Sequence, residues 1–343
     1  MTETLTATGR LPLPADLDSP NRAALLRYAV YHVLASYGQL GMLLAVWPMF
    51  PSNWLLGGLY FVAMGWTQYR LYFLVHDACH FTLFPSVSTN RLVGRITAAT
   101  LFSSFTTFTA VHMQHHRHYG TERDLGAVDY YVRFRSRWQS LWFFLWPLLG
   151  LGVFEKVSTN VAQPLRRTLG GGWRQPTATP QIGSAKGPAI PAVDVLFVVG
   201  IQALILLAMS SAGTRPLDYV FFYVLPGGTI FLFLARLRMY LEHGPLDYEV
   251  SDYLGAAPRR IARTHLSTLI EAPLFQYMNF RFHNEHHLWP GLPSAQLPAA
   301  HRSMRGRLHP DDYSPRYIDS LRRIVHLANT GGIQSQSPQA AAR

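Results

Sequence analysis

From Tyr28 to Tyr69 the chain runs for 42 residues without an Asp, Glu, Lys or Arg, bounded by Arg27 and Arg70. A bilayer core takes about 20 apolar residues per helix, so this run predicts two spans and a turn. Pro48, Pro51, Ser52 and Asn53 near its middle supply the turn. Trp47 and Trp54 flank it, where interfacial aromatics are expected. A second hairpin follows: Val195–Thr214 is 20 residues without charge, Arg215, Pro216 and Asp218 break it, and Tyr219–Ala235 adds 17 more. Composition agrees, because charged residues are only 14% of the 343, against about 25% in an ordinary domain. Buried helices of a water-soluble all-α protein are the plainer explanation, but paired uncharged runs of this length argue against it.

The formal net charge is +11, and only Lys156 and Lys186 among the basic residues are lysine. Position explains that charge. The two hairpin tips, Trp47–Trp54 and Ala212–Asp218, hold a single basic residue, Arg215. Arg117, Arg123, Arg133, Arg135, Arg137, Arg166, Arg167, Arg259, Arg260, Arg263 and the C-terminal arginines fall on the other side. The positive-inside rule then predicts both termini in the cytoplasm. Anionic headgroups account for the arginines, and no nucleic-acid partner is expected. Residues 1–24 are expected to be a mobile tail without the apolar core of a signal peptide, residues 25–327 the membrane domain, and 328–343 a disordered tail. The Gly- and Pro-rich stretch Gln163–Pro191 reads as a loop. Cys79 is the only cysteine, so no internal disulfide is expected.

The abnormal count is 15 histidines. Eight fall in three clusters: His76-Asp-Ala-Cys-His80, His112-Met-Gln-His115-His116 and His283-Asn-Glu-His286-His287. Residues three and four apart share a helix face, so each cluster can present its imidazoles to one place. Eight neutral imidazoles exceed the four ligands of a structural zinc and suit a two-metal site. All-imidazole coordination favours Fe, Zn, Cu or Ni over Mg or Ca. A zinc-protease reading of the first cluster fails, because Asp77 stands where such helices carry Glu.

A shared site requires all three clusters on one side of the membrane. Ile96–Ala110 is therefore expected to be interfacial or re-entrant, and Trp138–Phe154, interrupted by Pro147, to lie on the membrane. Four true spans result. His243 emerges at the end of the fourth, on the side of the clusters, and is a candidate ninth ligand. Asp77, Asp124 and Glu242 are expected to orient ligating imidazoles by accepting their second N–H; Asn284 and Glu285 also lie beside them. His118 is expected in a solvated or supporting role. His265, His301, His309 and His326 are expected at the surface, and His32 is given no role.

HDACH, HMQHH and HNEHHLWP, in that order around two hydrophobic hairpins, resemble the boxes of the membrane fatty acid desaturase superfamily. The context extends the resemblance: Phe81-Thr-Leu-Phe84 with Asn90 and Gly94 after the first box, His116-Arg-His118-Tyr-Gly120 towards Asp124 after the second, and Pro290 and Pro293 after the third. It covers roughly residues 30 to 300. The resemblance implies an all-α integral membrane fold, with four transmembrane helices in two hairpins, interfacial helices and a cytosolic helical cap. It implies a non-haem di-iron oxidoreductase using two Fe ions, O2 and two electrons from a redox partner. The eight box histidines would ligate the irons, with His243 at the place of a ninth. Gly126 departs from the acidic residue often found there. His283 replaces the Gln of front-end desaturases. No HPGG haem motif occurs, so a separate ferredoxin or cytochrome-type donor is expected, attracted by the basic face.

The reaction implied is loss of two hydrogens from an acyl or lipid-like chain to give an alkene. Hydroxylation or ketolation of a lipid, carotenoid or specialised metabolite, as in related enzymes, is the main rival. A membrane zinc hydrolase is the rival from another class; it would need fewer histidines and usually a carboxylate ligand. A metal transporter would place ionisable groups in mid-span, where only His32 occurs.

Overall fold

The computed structural model describes residues 13, 17, 21–49, 53–119, 124–125, 130, 136–157, 189–244, 262–266, 269, 271–275, 277–304, 313–314 and 316–330. Most of the two expected tails and of the Gln163–Pro191 loop, with Gly126 and His309, lie outside the described residues. Helix α1, Arg22–Val46, starts where Asn21 accepts from the backbone N–H groups of Ala23 and Ala24. Asn53 caps α2, Trp54–Cys79, in the same way through Leu55 and Leu56. These Asx caps satisfy donors that a helix start leaves without partners. Then follow α3, Val87–Thr100, and α4, Phe105–His118, capped by Ser86 and Ser104. Two short helices, α5 Arg137–Leu145 and α6 Gly152–Val157, lead to α7, Ala192–Ser211. One continuous helical run, α8, covers Pro216–His243. The remainder is short: α9 Ala272–Phe275, α10 His283–Leu288, α11 Leu297–Met304 and α12 Tyr317–Thr330. Strands β1, Thr264–His265, and β2, Tyr313–Ser314, pair in parallel. Helix α1 thus takes in residues 22–24 and α12 takes in 328–330, all of them expected in tails.

Among the described residues, three helices are long and apolar enough to cross a membrane: α1, α7 and α8. The expected second span, α2, is not among them, although it has 26 residues. At 1.5 Å per residue it is about 39 Å long, more than the roughly 30 Å of a hydrocarbon core. Its C-terminal half carries polar groups, including Gln68, Arg70, His76 and Asp77, which lower its hydropathy. Leu34 and Met42 on α1, Leu59 and Val62 on α2, and Leu196, Val199, Leu204 and Leu207 on α7 are all exposed. Continuous apolar surface of this kind needs a non-aqueous neighbour. Trp54 is exposed at the tip as expected, but Trp47 is not interfacial: it is fully buried on Phe222 and Tyr60.

The stretch Ile96–Ala110 breaks into two helices. The 14 residues of α3 or of α4 make about 21 Å, too short to cross. The corner between them is closed by the spans: Gln202 Nε2 donates to the carbonyls of Ala99 (2.6 Å) and Thr100 (3.2 Å), and Tyr223 Oη donates to that of Thr100 (2.7 Å). Asp194, buried at the start of α7, accepts from Ser104 Oγ (2.5 Å), Thr106 N (2.8 Å) and Arg95 Nε (3.1 Å). The stretch Trp138–Phe154 is likewise broken, and Trp138, Trp142, Leu149 and Phe154 are exposed along it.

Helix α2 packs against α1, α3, α4 and α8. In α8 two π turns, Val220–Val224 and Gly227–Phe231, flank Pro226, whose missing N–H breaks the α ladder. Gln68 Nε2 takes up the carbonyl of Tyr223 (2.8 Å) and Thr229 Oγ1 that of Leu225 (2.7 Å). Gly65 admits α8 at this place, since a Cβ there would lie 2.5 Å from Ile230 Cβ and 2.9 Å from the Pro226 oxygen. Gly58, on the same helix, has nothing within 4 Å of its would-be Cβ. Gly65→Ala should therefore destabilise the purified protein by about 1–3 kcal/mol, seen as a lower melting temperature in detergent. Gly58→Ala should leave that temperature unchanged.

Candidate metal centre

Boxes one and two sit on long-range neighbours. His76 and His80 end α2, and α4, which packs on α2, carries His112, His115 and His116. His243 ends α8. The third box is brought back to these ends by β1: Arg263 N donates to the Glu242 carbonyl (3.0 Å), and His265 N to that of Arg281 (2.9 Å). Met278 and Asn279, with φ of 56° and 63°, turn the chain just before α10; Asn tolerates this left-handed region better than most residues.

The nine histidines form two abutting groups. His76, His80, His112, His116 and His286 offer nitrogens all within 4.8 Å of one another, and so do His115, His243 and His287. His283 joins the second group: its Nε2 is 2.7 Å from His243 Nε2 and 3.2 Å from His287 Nε2. In the first, Nε2 of His112 lies 2.9 Å from that of His80 and 3.0 Å from that of His116, which lies 3.1 Å from that of His286. Boxes two and three each divide between the groups. His112 and His116 turn one way and His115 the other; His283 and His287 turn one way and His286 the other. Residues four apart on a helix stay on one face, and the third member of each box reaches across.

Burial sets the chemistry of these rings. It pushes His80 down from the ordinary value of 6.5 to about 3, with the neighbouring His115 adding to the effect. Burial, then crowding by other imidazoles, also lowers His112, His116, His286 and His287, and His283 beside His243. Neutral imidazoles keep a lone pair for a cation. His115 shows the fit to a metal most directly. Its Nδ1 is held by Asp124 (2.9 Å), while its Nε2 is buried without a hydrogen-bond partner. A bound metal ion would fill that position.

Carboxylates and phenols stand behind the second group. Asp124 also accepts from Tyr130 Oη. Tyr119 Oη lies 3.0 Å from His243 Nδ1. Glu242 Oε2 is 3.5 Å from His283 Nδ1, and Glu242 is itself held by Arg238 (2.8 Å) and Tyr317 Oη (3.0 Å). Asp77 is differently engaged: its partners among the described residues are the hydroxyls of Ser294 (2.6 Å) and Thr82 (3.3 Å). It joins box one to the chain beyond box three rather than holding an imidazole. His118 is part-exposed at the end of α4.

Two histidines expected at the surface are buried. His265 stacks on Tyr317 at 4.0 Å and meets Ser320 Oγ at 3.1 Å. His301 Nδ1 lies 2.6 Å from Glu285 Oε1, and Thr264 Oγ1 donates to the other oxygen of Glu285. Glu285 lies inside box three but faces away from the metal-facing rings, and that opposite phase on α10 was the available signal. Tyr119, Tyr130 and Tyr317 carried no such signal, because only the folded chain brings them to the histidines.

The class is therefore a membrane protein with a histidine-rich metal-binding cluster at the ends of apolar helices. A model of the fatty acid desaturase family matches residues 52–319, and the chain belongs to that family. A search of curated proteins found no match.

Two outcomes follow from this geometry. Asp124→Asn should weaken metal retention about 10–100-fold, read by chelator competition with the metal content followed by mass spectrometry. The second concerns pH. His80, His112, His116, His283, His286 and His287 have lower proton affinity folded than unfolded, so the unfolded chain binds protons first. Stability of the metal-free protein should be full above 6.5 and fall as pH drops towards about 3, the value for His80. A melting temperature that stayed constant or rose on acidification would contradict it.

Proposed function

We propose that this chain is an O2-dependent di-iron oxidoreductase that introduces a double bond into a fatty acyl or lipid-like chain. The observation that carries the proposal is the division of nine clustered imidazoles into abutting groups of five and four, within a chain of the desaturase family. The first group would be His76, His80, His112, His116 and His286, and the second His115, His243, His283 and His287. When bound, a reduced pair of irons supplies O2 reduction and oxidation of an unactivated C–H bond.

The chain's own residues supply the setting. Asp124 keeps the proton of His115 on Nδ1, so that Nε2 faces inward. Glu242 holds the Arg238 guanidinium (2.8 Å), which in turn donates to His283 Nδ1 (3.3 Å) and fixes that ring. Phe280, 4.4 Å from the His76 ring, and Phe108, stacked on His112 at 5.6 Å, bound the first group with apolar surface. Tyr72 packs on Phe108 and reaches His76. Such walls exclude water and strengthen every polar interaction within.

The topology that supports this reading has α2 as a fourth span, with α2 and α8 running in one direction and presenting their C-terminal ends to the site. The arginine bias puts that site and both termini in the cytoplasm, where a ferredoxin or cytochrome-type donor would dock. The substrate would enter from the membrane.

Feeding deuterated acyl chains to a host that expresses the protein, and analysing the lipids, tests the reaction. An alkene that has lost two deuteriums is expected. An oxygenated product without any alkene would reject desaturation in favour of hydroxylation. Metal analysis separates the remaining rival: two irons per chain are expected, and one zinc would favour a hydrolase.

A further inference from the structure

Away from the metal centre, a second polar cluster lies in the apolar part of the molecule, between α1, α2 and the turn at Tyr277–Asn279. Arg70 is its charge. The guanidinium lies 4.3 Å over the Tyr277 ring and 5.1 Å from that of Trp66, and one terminal nitrogen donates to Gln39. Its Nε is buried with no hydrogen-bond partner. Among the described residues no carboxylate pairs with it; Asp77, the acidic residue of α2, is taken by Ser294 and Thr82. His32 shares the Tyr277 ring, at 4.9 Å, and is also flanked by Tyr28 (4.3 Å) and Tyr31 (5.1 Å). Its Nδ1 is likewise buried and without a partner. Arg70, His32 and Trp66 are only partly buried, and Tyr31 is exposed, so the cluster opens to the outside of the bundle.

Depth decides what can meet it. A hydrocarbon core takes about 20 helical residues. Counted along α2 from Trp54, that brings the inner boundary about one turn beyond Arg70. Counted back along α1 from Val46, it ends beside Arg27, little more than a turn from His32. Arg70 and His32 therefore sit just under the headgroup layer, within snorkelling reach of it, amid Tyr and Trp rings of the kind that line that layer. A guanidinium cannot shed its proton, and an unpaired charge at this depth is costly. Gln39 neutralises nothing. The acceptor available there is the anionic group of a lipid.

We propose that Arg70 and His32 form a binding site for the anionic head group, phosphate or carboxylate, of a lipid at the inner face of the membrane. Arg70 supplies the charge and directional donors, His32 a further ring nitrogen, and Tyr28, Tyr31, Trp66 and Tyr277 the walls. The site rests on the reading of α1 and α2 as spans. It is separate from the histidine boxes and needs no metal.

The test uses the full chain purified in detergent, with lipid retention read by native mass spectrometry. The probes are dioleoylphosphatidylglycerol for a phosphate, oleate for a carboxylate, and monoolein as an uncharged control. Wild type should retain one or both anionic probes over monoolein. Arg70→Gln should weaken that retention by about tenfold, while Arg70→Lys, which keeps the charge, should preserve most of it. Loss of the phosphatidylglycerol alone assigns a phospholipid, loss of oleate alone a fatty acid, and each supports the site. Equal retention by wild type and Arg70→Gln, or of monoolein by wild type, overturns it. If Arg70→Gln does not fold, photocrosslinking of diazirine-bearing forms of both probes to wild type decides. Label on residues 28–39 or 66–72 supports the site, and label confined elsewhere overturns it. A chain stripped from membranes by alkaline carbonate would refute the spans; an integral chain indifferent to Arg70→Gln refutes this site alone.

Discussion

Packing nine imidazoles against one another, six of them buried, is the constraint on which the rest of this structure depends. Burial lowers the proton affinity of His80, His112, His116, His283, His286 and His287, which favours a free lone pair, and the rings stand with Nε2 atoms as close as 2.7–3.2 Å to one another. Such a cluster is poorly satisfied by itself, since neighbouring nitrogens compete for the same few protons. A cation among them resolves the conflict. The surrounding groups agree with that demand: Asp124, Glu242, Tyr119 and Tyr130 all sit behind the rings of the second group, at the nitrogens turned away from its centre or on the groups that hold them.

The apolar helices serve this cluster by bringing distant stretches of chain to one level. Helices α2 and α8 each end in ligand candidates, and their contact is tightened where Gly65 lies against the π turns around Pro226. The α3–α4 corner carries box two. Its carbonyls and caps are met by side chains of α7 and α8: Gln202, Asp194 and Tyr223. Polar residues in the spans are thus engaged with backbone that a short, broken helix would otherwise leave unsatisfied. The Arg238–Glu242 pair is a different investment. Both groups are buried, and an ion pair in that setting contributes little to stability by itself. Its place beside His283 gives it a use.

The histidine boxes and the apolar runs were legible because both are local. A 3.6-residue period puts i, i+3 and i+4 on one side of a helix, and 20 apolar residues match a bilayer, whatever the rest of the chain does. The same reasoning stops at α2. It is long enough to cross a bilayer, but the polar residues it turns towards the site lower its hydropathy, and it falls outside the apolar set of α1, α7 and α8. Trp47 shows the same limit, since whether a tryptophan faces headgroups or packs on Phe222 depends on a helix more than 150 residues away in sequence.

From sequence alone came the helical class, the long apolar helices, the three boxes and His243 as a group able to join them, because each depends on spacing along one segment. Only the folded chain decided how the nine divide into five and four, that Asp77 binds hydroxyls while Asp124 and Glu242 face imidazoles, and that His265 and His301 are buried. Those outcomes depend on which segments meet. Contacts between residues far apart in sequence are selected by packing and desolvation of the whole molecule, for which no local pattern is a substitute.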